Sequence, residues 1–414
     1  MANPRVLAMI MAGGRGERLE PLTRERSKPA VPFGGKYRIV DFVLSNFINS
    51  GIYALYLLVQ YKSQSLIEHI RLGWRRQGLS RDQFITVVPP QMRWQSDVWY
   101  RGTADAVFQN LNLIHDFQPD LVAVFGADHI YRMDVRQMIA FHLEKGADVT
   151  VAARPIPLAQ TEGLGLIEVT ADGRVTGFHE KPPRPLPMPS QPQMALSSMG
   201  NYLFNREVLL QALERDAQQA TDHDFGRTII PTLVPQASIY AYDFLQNDIP
   251  GLQAYEERGY WHDVGTLETF WQANMDLLGE RPLVDLANTR WPIYAASFDG
   301  PPTKIVGGSV SDSLVAEGCL LDRATVTHSI IGRGVRIEPG CVVEDAILMD
   351  FTIVQRGARL RRVIVDRFNT IPANVTIGGA RTDAQYGHVD PSGLVVIPRG
   401  PRGIPLQRAP LTDA

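Results

Sequence analysis

Cysteine is nearly missing from the chain: Cys319 and Cys341 are the only two in 414 residues. Two thiols cannot build a disulfide framework or a multi-cysteine zinc site, and both lie in apolar sequence, as buried free thiols do. An excess of one charge is missing as well. Forty-one Lys and Arg against 44 Asp and Glu leave a formal charge of −3, whereas a protein that lives on the phosphate backbone of nucleic acid is normally basic. Long apolar runs are also absent. The stretch from Val6 to Ala12 ends at Gly13-Gly14, too short for a secretory signal core, and nothing approaches the ~18 apolar residues of a membrane span. These absences set the expectation of a cytoplasmic protein with neither a nucleic-acid nor a membrane partner.

What is present is an ordinary globular composition, 44% hydrophobic and 21% charged, unlike disordered or collagenous chains. At ~150 residues per domain the length predicts two or three domains. The first two-thirds alternates short β-rich runs with helical patterns, the signature of crossover units on a mostly parallel sheet. Val6 to Met11, Tyr53 to Val59 and Leu121 to Phe125 read as strands. One helix is expected to start at Thr103, a good N-cap, with Val107, Leu111 and Ile114 on its apolar face. Others run from about Asp134 to Glu144, stopped by Gly146, and from Thr266 to Gly279. Pro182, Pro183, Pro185, Pro187, Pro189 and Pro192 read as a stiff surface loop in preference to a docking segment.

After Pro301-Pro302 the helical periodicity gives way to short units such as Ile331-Gly332-Arg333-Gly334-Val335-Arg336 and Ile371-Pro372-Ala373-Asn374-Val375-Thr376. An aliphatic residue every six is the period of a left-handed parallel β-helix, favoured here over a β-sandwich although the period slips between Asp345 and Asp366. The expected fold is a Rossmann-like α/β domain with a mostly parallel sheet over residues 1–290, then a left-handed β-helix with a C-terminal extension over 291–414.

The strongest chemical signal follows the first strand: Ala12-Gly13-Gly14-Arg15-Gly16-Glu17-Arg18-Leu19, then Ser27-Lys28-Pro29-Ala30. From Gly13 to Arg38 seven cations face three anions, a net +4 within 26 residues of a chain whose total is −3. Glycines let backbone N–H groups approach a phosphate, and Arg and Lys add charge. A P-loop is excluded, because Gly35-Lys36 is followed by Tyr37 and Ala30 holds the first glycine position. A dinucleotide fingerprint from Gly14 would place Leu19 where a third glycine or alanine must pack.

The pattern Gly-Gly-x-Gly-x-Arg-Leu-x-x-Leu-Thr with Lys28-Pro29-Ala30 resembles the sugar nucleotidyltransferases, which join a nucleoside triphosphate to a sugar 1-phosphate and release pyrophosphate. Further segments narrow the resemblance: Phe33 to Phe42, Trp99-Tyr100-Arg101-Gly102-Thr103-Ala104-Asp105-Ala106, Ser198-Met199-Gly200-Asn201-Tyr202, His223-Asp224-Phe225-Gly226 and Asp263-Val264-Gly265-Thr266. They are similar to the bacterial members that transfer AMP from ATP to glucose 1-phosphate, giving ADP-glucose for glycogen. The resemblance spans nearly the whole chain.

It implies that Gly13, Gly14 and Arg15 hold the triphosphate with Arg18 and Lys28 beside it, and that Tyr100 meets the adenine end, followed by Gly102, Thr103 and Asp105. Arg15, Lys28 and Asp128 become the catalytic candidates. Asp128 ends an apolar strand, a common place for a ligand-binding residue in an open α/β sheet, and the family pairs it with Asp263 on Mg²⁺. Lys181 is expected on the sugar phosphate and Glu180 on the sugar hydroxyls, with Gly165, Ser198, Tyr202, Asp224 and Phe225 as further sugar-site candidates. His129 is read not as a general base but as a group that packs or supports the neighbouring ligands, because a phosphate dianion needs no base in order to attack. Arg26 and Arg38 are the effector candidates, since the resemblance implies a homotetramer controlled by allosteric small-molecule effectors.

Some positions depart from that pattern. Ala127 replaces a frequent glycine, His262 a common arginine, and Gly226-Arg227-Thr228 a frequent Gly-Lys-Asp; Glu25 stands where relatives often carry a base. Three other readings carry less weight: a synthase using UTP or dTTP, a catalytically dead regulatory subunit, and a hexapeptide acyltransferase, for which His328 is the only histidine in the periodic stretch.

Overall fold

The computed structural model describes residues 4–14, 16–74, 82–90, 99–188, 191–378 and 381–401. The strand Val6–Met11 pairs in parallel with Ala54–Leu58 on one side and Leu121–Gly126 on the other, and Ala54–Leu58 carries Phe84–Val88, again in parallel. These strands are near-continuous aliphatic runs because both faces of the sheet are covered. One face packs Ile10, Phe47, Phe125 and Met138, the other Leu7, Met9, Val122 and Phe204, all essentially inaccessible to water. Each such side chain contributes about 1.5–3 kcal/mol by burial. The long strand Met194–Asn205 adds an antiparallel arm, pairing with Leu121–Gly126, Val149–Pro157 and Leu166–Val169. The α/β domain with its mostly parallel sheet is present as expected, this arm being the part not foreseen.

Two helices follow the expected punctuation. Val135–Lys145 is capped by the Asp134 side chain and closed by Gly146 at φ 55, and Leu267–Met275 is capped by Thr266. The expected helix from Thr103 is instead two, Thr103–Phe108 and Leu111–Phe117. Gly102 takes the N-cap position, because the Thr103 hydroxyl is engaged by Asp224 at 2.8 Å. Among the described residues no helix is long and apolar enough to cross a membrane.

The first strand of the second domain is Lys304–Val306. Before it the chain lies along the α/β domain, where Tyr294 N donates to Ser45 Oγ and Asn49 Nδ2 to the Pro292 carbonyl, both at 2.9 Å. Among the described residues, three sheets of five, five and six strands, all parallel except for the antiparallel edge strand His388–Val389 of the third, then wind a β-helix. Leu321, Ile337, Val354 and Ile371 stack in register inside it. They are sixteen, seventeen and seventeen positions apart, one or two short of three hexapeptides, which is why the sixfold pattern slips. Corner residues absorb the difference: Asp312, His328, Asp345 and Arg362 turn with φ between 46 and 50. Cys319 and Cys341 are buried free thiols in this core. The β-helix docks through a shared apolar core in which Phe33, Ile39 and Phe270 meet Ile330, Ile347 and Val396.

Candidate active site

The central strand ends at Met11 and releases Gly13 and Gly14 at the carboxyl edge of the sheet, where open α/β sheets bind ligands. A Cβ on Gly14 would meet nothing within 4 Å, so this turn is open to a guest, and Gly16 bends with φ 64. Arg15 lies outside the described residues. Below the turn Lys28, only 5% exposed, donates to Asp263 Oδ1 at 2.6 Å and to Asp128 Oδ2 at 3.2 Å. Backbone pairing brings the two acids together. Asp128 follows the strand Leu121–Gly126 and leads into His129–Tyr131, which pairs antiparallel with Trp261–Asp263, placing His129 opposite Asp263. Arg18 Nη2 stands 3.9 Å from Asp263.

The charges hold one another in place. Burial alone would lower the Lys28 pKa, yet the carboxylates of Asp128 and then Asp263 outweigh it and raise it above the usual ammonium value. The protein packed around Asp128 opposes its charge, but Lys28 and then His129 hold it well below the ordinary carboxylate range. Oxygens of Asp128 and Asp263 and a ring nitrogen of His129 lie within 4.8 Å of one another. Two carboxylates are hard donors suited to a small divalent cation. The His129 ring rests on Trp261 at 5.0 Å with Nδ1 buried and without a hydrogen-bond partner, so packing and a place beside the acids coexist.

The nucleotide candidates also gather. Tyr100 accepts a hydrogen bond from Asn110 Nδ2 at 3.0 Å, and its carbonyl accepts one from Gln60 at 3.3 Å. Gly102 is required for space, since a Cβ there would lie 2.2 Å from the His223 carbonyl oxygen. Asp105 is 3% exposed, and its carboxylate is turned inward to accept the Arg101 amide at 2.8 Å and Gln109 Nε2 at 2.9 Å. Its carboxylate thus holds the segment that leads into the helix.

The sugar candidates form a second cluster. The Glu180 carboxylate lies between two glycines: a Cβ on Gly165 would come within 2.9 Å of Glu180 Oε2, and one on Gly226 within 2.8 Å. Lys181 is half-exposed, with Nζ 3.5 Å from Glu180. Ser198 N donates to the Gly165 carbonyl at 2.8 Å, and the Tyr202 ring stacks on Phe225 at 5.7 Å. Burial raises the Tyr202 pKa well above the ordinary phenol value, so its hydroxyl is a neutral hydrogen-bonding group. Asp224 is tied into the loop that carries Phe225. Its Oδ1 accepts the amides of Gly226 and Arg227, and its Oδ2 accepts the Thr103 hydroxyl, so it organises the loop from within.

A cavity of about 340 Å³ lies elsewhere, between the two domains. Lys36, Arg38, Arg333, Arg367 and Arg399 line it against Glu25, Glu68 and Asp350, over the stacked rings of Phe351 and Phe368. Nε of both Arg367 and Arg399 is buried without a hydrogen-bond partner. Burial, and then the neighbouring Arg367 and Arg26, push the Arg38 pKa down to about 9, against the opposing influence of Asp350 and Asp41. Arg26 is a correction to expectation. It is 1% exposed and paired with Asp366 of the β-helix, an interdomain strut behind the cavity and not part of its lining.

A family model for nucleotidyl transferases matches residues 7–280, and one for the C-terminal hexapeptide domain of GlmU-like proteins matches 301–397. Glucose-1-phosphate adenylyltransferases from three bacteria align over almost the whole chain. The protein from Thermodesulfovibrio yellowstonii is 52% identical, over 96% of this chain and 97% of its own. That from an Anaeromyxobacter species is 50% identical over 96% and 99%, and that from Thermus thermophilus 47% identical over 97% and 100%. The chain belongs to the glucose-1-phosphate adenylyltransferase family. The hexapeptide match agrees with the coils described above, so the second domain is a left-handed parallel β-helix. Nucleotidyltransferases work with a divalent metal, and in this member of the glucose-1-phosphate adenylyltransferases the Asp128–Asp263 pair has the chemistry to hold one. Sequence reasoning missed Arg154, which braces the Asp263 strand by donating to the Trp261 carbonyl at 3.2 Å. It also missed Arg333, Arg367 and Arg399, which lie in coil corners and the tail, where no motif marks them.

Proposed function

We propose that the chain transfers AMP from ATP to glucose 1-phosphate, yielding ADP-glucose and pyrophosphate. The observation that carries this reading is the Lys28 ammonium spanning Asp128 and Asp263 beneath an open glycine turn. A phosphate oxygen of the sugar attacks the α-phosphorus of ATP in line, and the bond to pyrophosphate breaks. Two polyanions must approach, so positioning and charge neutralisation supply most of the acceleration. Gly13 and Gly14 offer backbone N–H groups to the triphosphate, and Arg15, Arg18 and Lys28 balance its charge. Tyr100, Gly102 and Thr103 border the adenine end. Lys181 receives the sugar phosphate, and Glu180 accepts hydrogen bonds from sugar hydroxyls. Asp128 and Asp263 would hold Mg²⁺, which when bound neutralises phosphate charge in the transition state. The test is direct: purified protein with glucose 1-phosphate, Mg²⁺ and each triphosphate in turn. ADP-glucose formation with ATP is expected, and a preference for UTP or dTTP overturns the assignment.

We also propose that the interdomain cavity takes a phosphorylated effector. Five cations, three of them (Arg333, Arg367 and Arg399) with a buried Nε that makes no hydrogen bond, support this reading. Arg38 belongs to that site, and Arg26 supports it from behind. A homotetramer is part of the same proposal, supported by the exposed Ile305, Val306 and Leu320 on the first coils, and light scattering of the purified protein tests it. ATP and sugar phosphates are cytoplasmic metabolites, which makes the cytoplasm the place of work.

A further inference from the structure

The nucleotide segment and the sugar loop are joined by hydrogen bonds that the chemistry of transfer does not itself require. Thr103 Oγ1 donates to Asp224 Oδ2 at 2.8 Å and accepts from the Phe225 amide at 3.0 Å. Next to it the His223 carbonyl accepts the amides of Ala104 at 2.8 Å and Asp105 at 3.3 Å. The first N–H groups of the helix Thr103–Phe108, which have no partner within their own helix, are thus satisfied by the sugar loop. His223 reaches them with φ 49, a left-handed conformation that His adopts more readily than most residues. Its ring is fixed by Asp216 Oδ2 at 2.7 Å, with Thr221 Oγ1 at 3.2 Å. His223 and Asp216 are only 3% and 6% exposed, so this pair has no access to substrate. Gly102 closes the junction, since no Cβ fits between it and the loop.

We infer that this junction couples the two substrate sites, so that binding of nucleotide tightens binding of glucose 1-phosphate and the reverse. Asp216 and His223 act in it as positioning residues. The inference rests on the proposed assignment of Thr103 to the nucleotide and of Phe225 with Glu180 and Lys181 to the sugar. The physical basis is that both oxygens of Asp224 are engaged in the junction: one holds the Gly226 and Arg227 amides and the other holds Thr103. A shift of the helix start on one substrate therefore carries the loop bearing Phe225 with it. Ordering one site removes part of the cost of ordering the other, and the effect is reciprocal. In-line transfer needs that fixed separation.

The experiment is calorimetric titration of glucose 1-phosphate into the full-length protein with Mg²⁺, with and without α,β-methylene-ATP, whose blocked bond prevents transfer. The wild type should bind the sugar phosphate on the order of tenfold tighter with the analogue present. Thr103→Val and Asp216→Asn should bring that ratio close to one, and Thr103→Ser, which keeps the hydroxyl, should retain it. A merely structural role would weaken binding in both conditions and leave the ratio unchanged. A ratio near one in the wild type, or an undiminished ratio in Thr103→Val and Asp216→Asn, overturns the coupling. Lys181→Ala separates the two readings. If it weakens the sugar phosphate while the Thr103→Val ratio stays high, only the coupling falls; if it leaves the sugar phosphate unaffected, the site assignment and the coupling fall together.

Discussion

Glu25 and Arg399 stand 374 positions apart and meet at 3.0 Å, and both line the cavity between the α/β domain and the β-helix. A carboxylate thus sits against one of the cations that an anionic effector would use, and competes with that effector for it. Glu25→Gln should lower the concentration of a phosphorylated activator giving half-maximal effect by about two- to fivefold, the scale of a half-exposed ion pair. Titration of activity against activator measures it. An unchanged response removes Glu25 from the chemistry of this cavity.

The same surplus of cations makes the fold sensitive to anions. Inorganic phosphate or sulfate should raise the melting temperature above that in chloride of equal ionic strength. A saturating ligand at about 100 times its Kd contributes ~2.7 kcal/mol. Arg367→Ala should reduce the rise, because it removes a buried donor that has no protein acceptor. Melting curves in matched salts decide it, and equal shifts for both proteins contradict the role given to Arg367.

Asp128→Asn should leave a folded protein whose turnover is reduced at least ~10²-fold, the scale for losing one strong electrostatic element at the reacting centre. A chelator should abolish activity and Mg²⁺ should restore it. A fall of less than about fivefold takes Asp128 out of the metal role.

A pH effect on stability follows from His142, 1% exposed, which lies against Thr150 Oγ1 at 2.8 Å and Asn205 Oδ1 at 3.2 Å. Burial lowers its pKa, against the opposing influence of Asn205 and Asp148. The unfolded chain then binds this proton more readily than the folded one, so stability is present above pH ~6.5 and is lost as the pH falls through the lower folded value. Urea unfolding between pH 5 and 7.5 should therefore show a shallower acid slope for His142→Gln than for the wild type, and identical slopes refute it.

The sequence carried the architecture well where one residue type settles one geometry. Gly146 ends a helix, Gly13 and Gly14 open a turn, and aliphatic residues fill the inside of each coil. It carried less where a side chain had two uses. Thr103 reads as a helix cap, yet its hydroxyl is taken by a carboxylate 121 positions away, which no local pattern reveals. Asp105 and Asp224 read as site residues only through the resemblance of their motifs, and no local pattern reveals that both carboxylates are engaged by backbone amides. The interdomain cavity was legible only as a concentration of basic residues near Arg38. Its far wall comes from coil corners at Arg333, Asp350 and Arg367, whose spacing falls one residue short of three hexapeptides and so lies off the sixfold pattern.

That wall has a consequence for how the molecule is controlled. Arg399 follows the strand Val395–Ile397 of the β-helix, whereas Glu25, its partner across the cavity, lies 374 positions earlier in the α/β domain. The proposed effector site therefore exists only while the two domains are docked, and a variant that loosens their docking would lose its response to effector while its turnover machinery stayed folded.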